Sequence, residues 1–123
     1  KQTAWIPFKG FNQSFDHPVF KVVQPTEELY AVARNHHKHW GTMGQNTKLF
    51  MVRNVAILFG QNLDEVVQLV IYQMDEAGGA KYEGGTQHSL RVAKAYGIPC
   101  FNILKPEERD ALEAYVLKME AKL

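Results

Sequence analysis

The chain has 123 residues, of which 46% are hydrophobic, so it is long enough for one domain with a buried core and lacks the composition of a disordered protein. A net charge of +1 argues against a broad basic surface for duplex DNA and leaves room only for a local basic patch. The single cysteine, Cys100, cannot form an internal disulfide, and there is no run of 18 apolar residues and no signal peptide. We therefore predict a cytoplasmic protein that does not span a membrane.

The N-terminal part is predicted to be one short strand followed by an aromatic loop. The strand runs from Thr3 to Pro7, and turn-forming residues then continue as far as Pro18. The aromatic side chains in this region either pack as a lid on the body of the domain or form a surface for bases or a partner: Phe8, Phe11, Phe15 and Phe20.

Two helices are predicted next. Thr26 is typical of a helix cap, and the first helix is expected to run to about Trp40, with one apolar face made of Leu29, Ala33, His36 and Trp40. The second helix is expected to start with Asn46 or Thr47 as its cap and to stop at Gly60.

The second helix is apolar nearly all round, and Arg53 and Asn54 are the exceptions. A charged side chain on a buried helix needs a partner or must reach an edge of the structure. Arg53 is suited to bidentate recognition of a phosphate or carboxylate, and a structural ion pair is the equal alternative.

The centre of the chain predicts a parallel crossover unit. A β-branched apolar run over residues 66–72 is typical of a buried strand, and it is followed by a glycine-rich turn, a helix that stops at Gly97, and a second apolar run over residues 98–103. Cys100 falls in this last run, where it is expected to be a small buried hydrophobic residue.

The glycine-rich turn, Gly84-Gly85-Thr86, is the main candidate for a ligand site. Two glycines allow a positive φ and a close approach of a ligand, and Thr86 is expected to cap the next helix. Free N–H groups and the helix dipole at such a turn favour an anion, most often a phosphate. The alternative is that the two glycines only make the turn.

Catalytic and metal-binding candidates are fewer. Acidic residues flank the turn, and one of them either contacts a ribose hydroxyl, acts as a general base or is simply solvated: Asp75, Glu76 and Glu83. His36, His37 and His39 do not converge on one face of a helix, so we predict no metal and no cofactor. His88, close after Gly85, is expected to face a ligand.

A last helix is predicted from Pro106, with an apolar stripe for the sheet or another subunit: Leu112, Tyr115, Met119 and Leu123. An open parallel sheet exposes unpaired backbone groups at its edge. We therefore predict a homo-oligomer.

The motifs in their order resemble the Rossmann-like SLOG superfamily, which includes the DNA-processing Smf proteins, the Lonely Guy phosphoribohydrolases and small phage-encoded members. The similar segments are strand 66–72, Gly84-Gly85-Thr86, Leu90-Arg91-x-Ala93 and Gly97-Ile98-Pro99-x-x-Asn102. Upstream, Trp5-Ile6-Pro7-Phe8-Lys9-Gly10-Phe11-Asn12, His39-Trp40 and Arg53-Asn54 are similar to elements of the phage members, so the resemblance covers most of residues 3–104.

The resemblance implies a single three-layer α/β domain, Rossmann-like with a mainly parallel sheet, over residues 1–123. It implies a nucleotide-type ligand lined by Arg53, Asn54, Gly84, Gly85 and Thr86, and we add the adjacent Gln87. Family members begin with a further strand and a glycine-rich loop, so the sequence is interpreted as the C-terminal portion of a longer chain.

The first functional hypothesis is therefore binding of a nucleotide or a nucleotide-derived ligand. One alternative is a hydrolase of N-glycosidic bonds like the Lonely Guy enzymes, for which Glu83 or Asp75 would have to supply the base; the helix after the turn lacks the carboxylate of those enzymes. The other alternative is a non-catalytic scaffold for single-stranded DNA or a protein partner. Whether the protein is an enzyme stays open.

Overall fold

The computed structural model describes residues 3–11, 17–75 and 85–122. It contains four α-helices and four short strands in these ranges, and a 3₁₀ helix at Trp40–Thr42. The elements in chain order are β1 (Ala4–Ile6), β2 (Phe20–Val22), α1 (Glu27–Asn35), α2 (Gln45–Phe59), β3 (Val70–Tyr72), α3 (Gly85–Ala95), β4 (Cys100–Asn102) and α4 (Pro106–Ala121).

The strands form two parallel pairs. β1 pairs with β2, with Ala4 opposite Phe20, and β3 pairs with β4, with Val70 opposite Cys100. The predicted α/β class and the parallel crossover from β3 through α3 to β4 are confirmed. The described strands make two small sheets and not one mainly parallel sheet, and the three-layer Rossmann-like arrangement stays a prediction.

The core is organised around α2. Seven of its residues are buried, among them Val52, Val55 and Ala56, which have no exposed surface. This helix packs against α1, α3 and β1, so apolar side chains are needed on most of its circumference. The nearly all-round apolar sequence of α2 is explained by these three neighbours.

The first helix is shorter than predicted. Thr26 does cap it, with its Oγ1 accepting a hydrogen bond from Leu29 N at 3.2 Å, but α1 ends at Asn35 and not near Trp40. The N–H groups of His36 and His37 donate to carbonyls three residues earlier, which is the tightened geometry of a helix end. His36 and Trp40 therefore do not continue the helical face, because histidine-rich sequence has little intrinsic preference for helix.

The start of α2 also differs from the prediction. Its N-cap is Gly44, with no side-chain cap, so Asn46 and Thr47 lie inside the first turn. Its end is as predicted: Gly60 follows the helix with φ +79°, a conformation that costs glycine little.

The central strand is shorter and more exposed than predicted. Only Val70–Tyr72 is strand, and Val66 and Ile71 are 58% and 54% exposed. The preceding residues are held at the end of α2, because Glu65 N donates to Phe59 O and Val67 N to Leu58 O, each at 2.9 Å. Because these backbone N–H groups bond to the end of α2, the residues do not extend the sheet.

The last helix packs on its sheet along one side. In α4 the predicted stripe residues Leu112, Tyr115 and Met119 are half-buried, and the ring of Tyr115 lies 5.7 Å from that of Phe101 in β4. Leu123 lies outside the described residues. None of the helices described has the combination of length and hydropathy that crossing a bilayer requires.

Asn102 joins three segments at the carboxyl end of the β3–β4 pair. Its side chain has no exposed surface; Nδ2 donates to Met74 O at 2.7 Å, and Oδ1 accepts from Met74 N at 3.3 Å and Leu104 N at 3.1 Å. Its backbone N–H donates to Glu108 Oε1 at 2.9 Å, which ties β4 to α4. A buried amide with this many partners fixes the loops that follow both strands.

We expect Asn102→Ala to lower the free energy of unfolding by about 2–3 kcal/mol, because the backbone groups of Met74 and Leu104 lose their buried partners. Urea denaturation measures this value. Asn46→Ala is the matched control, since Asn46 is exposed in the first turn of α2. Equal stability of the two variants would contradict the role given to Asn102.

Candidate functional site

Asn54 of α2 contacts the start of α3. Its side chain is only 5% exposed; Nδ2 donates to Gly85 O at 3.3 Å, and Oδ1 accepts from Arg53 Nε at 3.1 Å. Nδ2 also lies 3.8 Å from Met51 Sδ. Three residues that the resemblance placed in one site, Arg53, Asn54 and Gly85, are therefore neighbours in the structure.

Arg53 is half-buried and held on two sides. Its guanidinium lies 5.5 Å from the centroid of the Phe11 ring, a distance at which the positive charge is attracted to the ring. Burial lowers the pKa of Arg53 from its ordinary value, and an arginine nevertheless stays protonated in proteins. Among the described residues no carboxylate lies within ion-pair distance of Arg53, and neither Nη group has a hydrogen-bond acceptor.

Three aromatic rings form a cluster beside Arg53. The centroids of Phe8 and Phe11 are 5.7 Å apart, and those of Phe8 and Phe11 lie 5.9 and 5.3 Å from Phe50 of α2. For Phe8 and Phe11 the structure thus shows packing on the body of the domain. Phe15 lies outside the described residues, and Phe20 belongs to β2.

The first turn of α3 supplies backbone donors next to Asn54. Gly85, Thr86 and Gln87 are its first three residues, and Gly85 and Thr86 are exposed. The N–H groups of a first turn have no partner within their own helix, and the helix dipole gives them a partial positive charge. The cap role predicted for Thr86 is wrong, since Thr86 is already inside the helix.

Gly85 is not required by its protein surroundings. It does not adopt a positive φ, and among the described residues a Cβ added there would meet Asn54 Nδ2 alone, at the ordinary contact distance of 3.8 Å. The conformational reason predicted for this glycine therefore does not apply.

Gly84, Glu76 and Glu83 lie outside the described residues, whereas Asp75 is described and is exposed three residues after β3.

The histidines do not line this site. His88 is fully buried, and its Nε2 donates to Ala33 O of α1 at 3.0 Å, so the prediction that it faces a ligand is wrong. The His37 ring lies 5.5 Å from that of His88, and His37 Nδ1 accepts from His39 N at 3.0 Å. The described part of the chain contains no group of three or more His, Cys, Asp or Glu placed to hold a metal ion.

A groove beside the site was not found by sequence reasoning. It has a volume of 370 Å³ and lies between α2, β3 and α3. Its lining, called here the α2–β3–α3 groove, consists of Ile57, Leu58, Val67, residues 69–72, Thr86, Ser89 and Leu90. One signal was available: Ile57 follows Arg53 by four residues, so the two share a helix face.

No protein-family model, curated protein or solved structure matches the chain. The resemblance to the SLOG superfamily therefore stays a prediction. The candidate site is argued from its own geometry: a half-buried cation, a buried amide and the start of a helix.

Cys100 was predicted to be buried and is half-buried, in β4. Its Sγ donates a hydrogen bond to Ile98 O at 3.4 Å. Burial raises the pKa of the Cys100 thiol above the ordinary value of 9.0, and the positive charge of Lys94 opposes this shift. A raised pKa reduces the thiolate fraction at neutral pH, which is the opposite of what a nucleophilic cysteine needs.

We expect the folded protein to react with iodoacetamide with a pH midpoint above that of the unfolded chain, because the thiol form is favoured in the folded state. The rate at pH 9 is then lower in the folded chain than in the chain unfolded by guanidinium chloride. The single cysteine makes the unfolded chain its own control. A folded midpoint at or below that of the unfolded chain would show that the charge of Lys94 outweighs burial.

Proposed function

We propose that this chain binds a nucleotide or a nucleotide-derived ligand, with the phosphate between Arg53 and the first turn of α3. The observation that carries the proposal is the hydrogen bond from Asn54 Nδ2 to Gly85 O, at 3.3 Å. Asn54 also accepts from Arg53, so one buried amide holds the guanidinium beside a helix N-terminus. Both groups favour an anion, and Asn54 brings them close to each other.

The position of the site in the fold supports the same proposal. α3 follows β3 in a parallel crossover. Ligands of open parallel sheets bind at the carboxyl ends of the strands. We include in the proposal that the two strand pairs belong to one three-layer Rossmann-like fold. This fold suggests where a ligand binds, and Arg53 together with the start of α3 suggests that the ligand carries a phosphate.

Neither alternative function is favoured by a specific observation. For a hydrolase, Asp75 is the candidate base in the described part of the chain, and it is exposed three residues beyond β3. For single-stranded DNA, a row of cations along a groove would be expected, and among the described residues the site offers one half-buried arginine.

We expect Arg53→Met to abolish nucleotide binding because it removes the guanidinium and keeps an unbranched side chain. The measurement is a thermal-shift titration with AMP, GMP, CMP and UMP. A ligand at about 100-fold above its Kd stabilises a folded protein by roughly 2.7 kcal/mol, which is several degrees in Tm for a chain of this size. Arg53→Lys should retain only part of this shift, because lysine lacks the bidentate fork.

Arg34→Met is the matched control, since Arg34 is an exposed arginine in the last turn of α1. It should leave every nucleotide-induced shift unchanged. A wild-type protein that no nucleotide shifts, or an Arg53→Met variant that shifts as the wild type does, would refute the proposal.

We expect Gly85→Ala to weaken nucleotide binding without lowering the stability of the fold. Within the described part of the chain the added methyl group meets Asn54 Nδ2 alone, at an ordinary contact distance. The free energy of unfolding should therefore stay the same or rise by up to about 1 kcal/mol, because alanine is the better helix residue. Affinity for the nucleotide should fall, because the methyl group lies where the phosphate approaches the first turn. Urea denaturation and calorimetric titration measure the two effects, and an unchanged Kd would place the phosphate elsewhere.

A further inference from the structure

The α2–β3–α3 groove shares both of its helical walls with the proposed phosphate site. Ile57 lines the groove one turn after Arg53 on the same face of α2, which places their Cβ atoms about 5–6 Å apart. On α3, Thr86 lines the groove and directly follows Gly85, whose carbonyl binds Asn54. A molecule bound at Arg53 therefore needs to extend by only one helical turn to enter the groove.

The lining of the groove is mainly apolar, with hydroxyls on one side. Ile57 and Ile71 are 46% and 54% exposed, although large aliphatic side chains are ordinarily covered. Thr86 and Ser89 are three residues apart on α3, so their hydroxyls share one helix face. Within the described ranges neither hydroxyl has a hydrogen-bond partner in the protein. A volume of 370 Å³ lies in the range of small-molecule sites.

The other apolar surface near Arg53 is an aromatic cluster whose rings contact one another. Phe8, Phe11 and Phe50 contact one another with centroids 5.3–5.9 Å apart, and the Arg53 guanidinium lies over the Phe11 ring. These rings pack against each other and against the arginine, so part of their surface is already covered within the protein. The groove, in contrast, is not filled by any side chain of the described residues.

We propose that the α2–β3–α3 groove holds the uncharged ring of the ligand whose phosphate lies at Arg53. The inference rests on the proposed function and specifies its ligand class: an anion joined to a flat, weakly polar ring that can hydrogen-bond with the Thr86 and Ser89 hydroxyls. A nucleoside monophosphate has this form. Ribose 5-phosphate has the same anion and sugar without the ring, so the site should discriminate between them.

The test is isothermal titration calorimetry with AMP, GMP, CMP, UMP and ribose 5-phosphate on the whole chain. At least one nucleotide should bind the wild type at least about 10-fold more tightly than ribose 5-phosphate, which is the scale of selectivity that apolar pockets supply. Ile57→Asn should raise the Kd of that nucleotide by about 5–10-fold and leave ribose 5-phosphate unchanged, because it adds polarity without charge next to the phosphate.

Two further variants keep the test decisive. Leu117→Asn is the matched control, since Leu117 is a 58% exposed leucine on α4, and it should change neither Kd. Ser89→Val removes a groove hydroxyl, and it should weaken nucleotide binding selectively even if Ile57→Asn does not fold.

Four results would overturn the inference. Equal affinity for nucleotides and ribose 5-phosphate, or groove variants with unchanged nucleotide Kd while Arg53→Met loses binding, would leave the phosphate site standing and remove the ring from the groove. A change in association state on sedimentation with unchanged Kd would make the groove a contact between subunits. No binding of any of the five compounds would refute the proposed function itself.

Discussion

The candidate site depends on the orientation of one buried amide. Asn54 accepts from Arg53 through Oδ1 and donates to Gly85 O through Nδ2. A flipped amide would set oxygen against carbonyl oxygen and N–H against N–H, so the two partners determine its orientation together. A carboxylate at this position would repel the Gly85 carbonyl and neutralise Arg53. The amide is thus the side chain that joins the two helices and leaves the positive charge of Arg53 uncompensated at this contact.

Two residues of the proposed site, Arg53 and Ile57, lie on the packed helix α2, and other residues of this helix form the core. Val52, Val55 and Ala56 are fully buried, whereas Arg53 and Ile57 are on the partly open side of α2. Sites built on packed helices hold their geometry better than sites on loops. Asn54 and Leu58 are buried, although they belong to the proposed site and to the groove. A change at the less buried Arg53 or Ile57 is therefore expected to affect the core less than a change at these two positions.

Two local signals were predicted correctly from the sequence, whereas the individual contacts between distant residues could not be predicted. The Thr26 cap and the Gly60 stop need only neighbouring residues, and both are observed. The strand was predicted too long because residues 65 and 67 bond to the end of α2, and periodicity carries no information about that contact. His88 was misjudged for the same reason: its partner, Ala33 O, is 55 residues away.

In the candidate site, too, single residues could be predicted from the sequence, and their contacts could not. Arg53 stood out as a charge on an apolar helix, but only the resemblance associated it with Gly85, and the linking hydrogen bond spans 31 residues. The aromatic contacts of Arg53 and the groove arise from packing between elements distant in sequence. They could not be derived from the spacing of residues along the chain.

The proposed phosphate site and the proposed ring site in the groove should strengthen each other. Water competes for the guanidinium of a half-buried arginine, and this competition weakens its attraction for a phosphate. A ring in the adjacent groove would cover Ile57, one turn from Arg53, and would displace water from that side of the guanidinium. The lower local polarity would then strengthen the bond to the phosphate, while the phosphate holds the ring in a groove too open to retain it alone. The two parts of the ligand are therefore expected to contribute more together than the sum of their separate affinities.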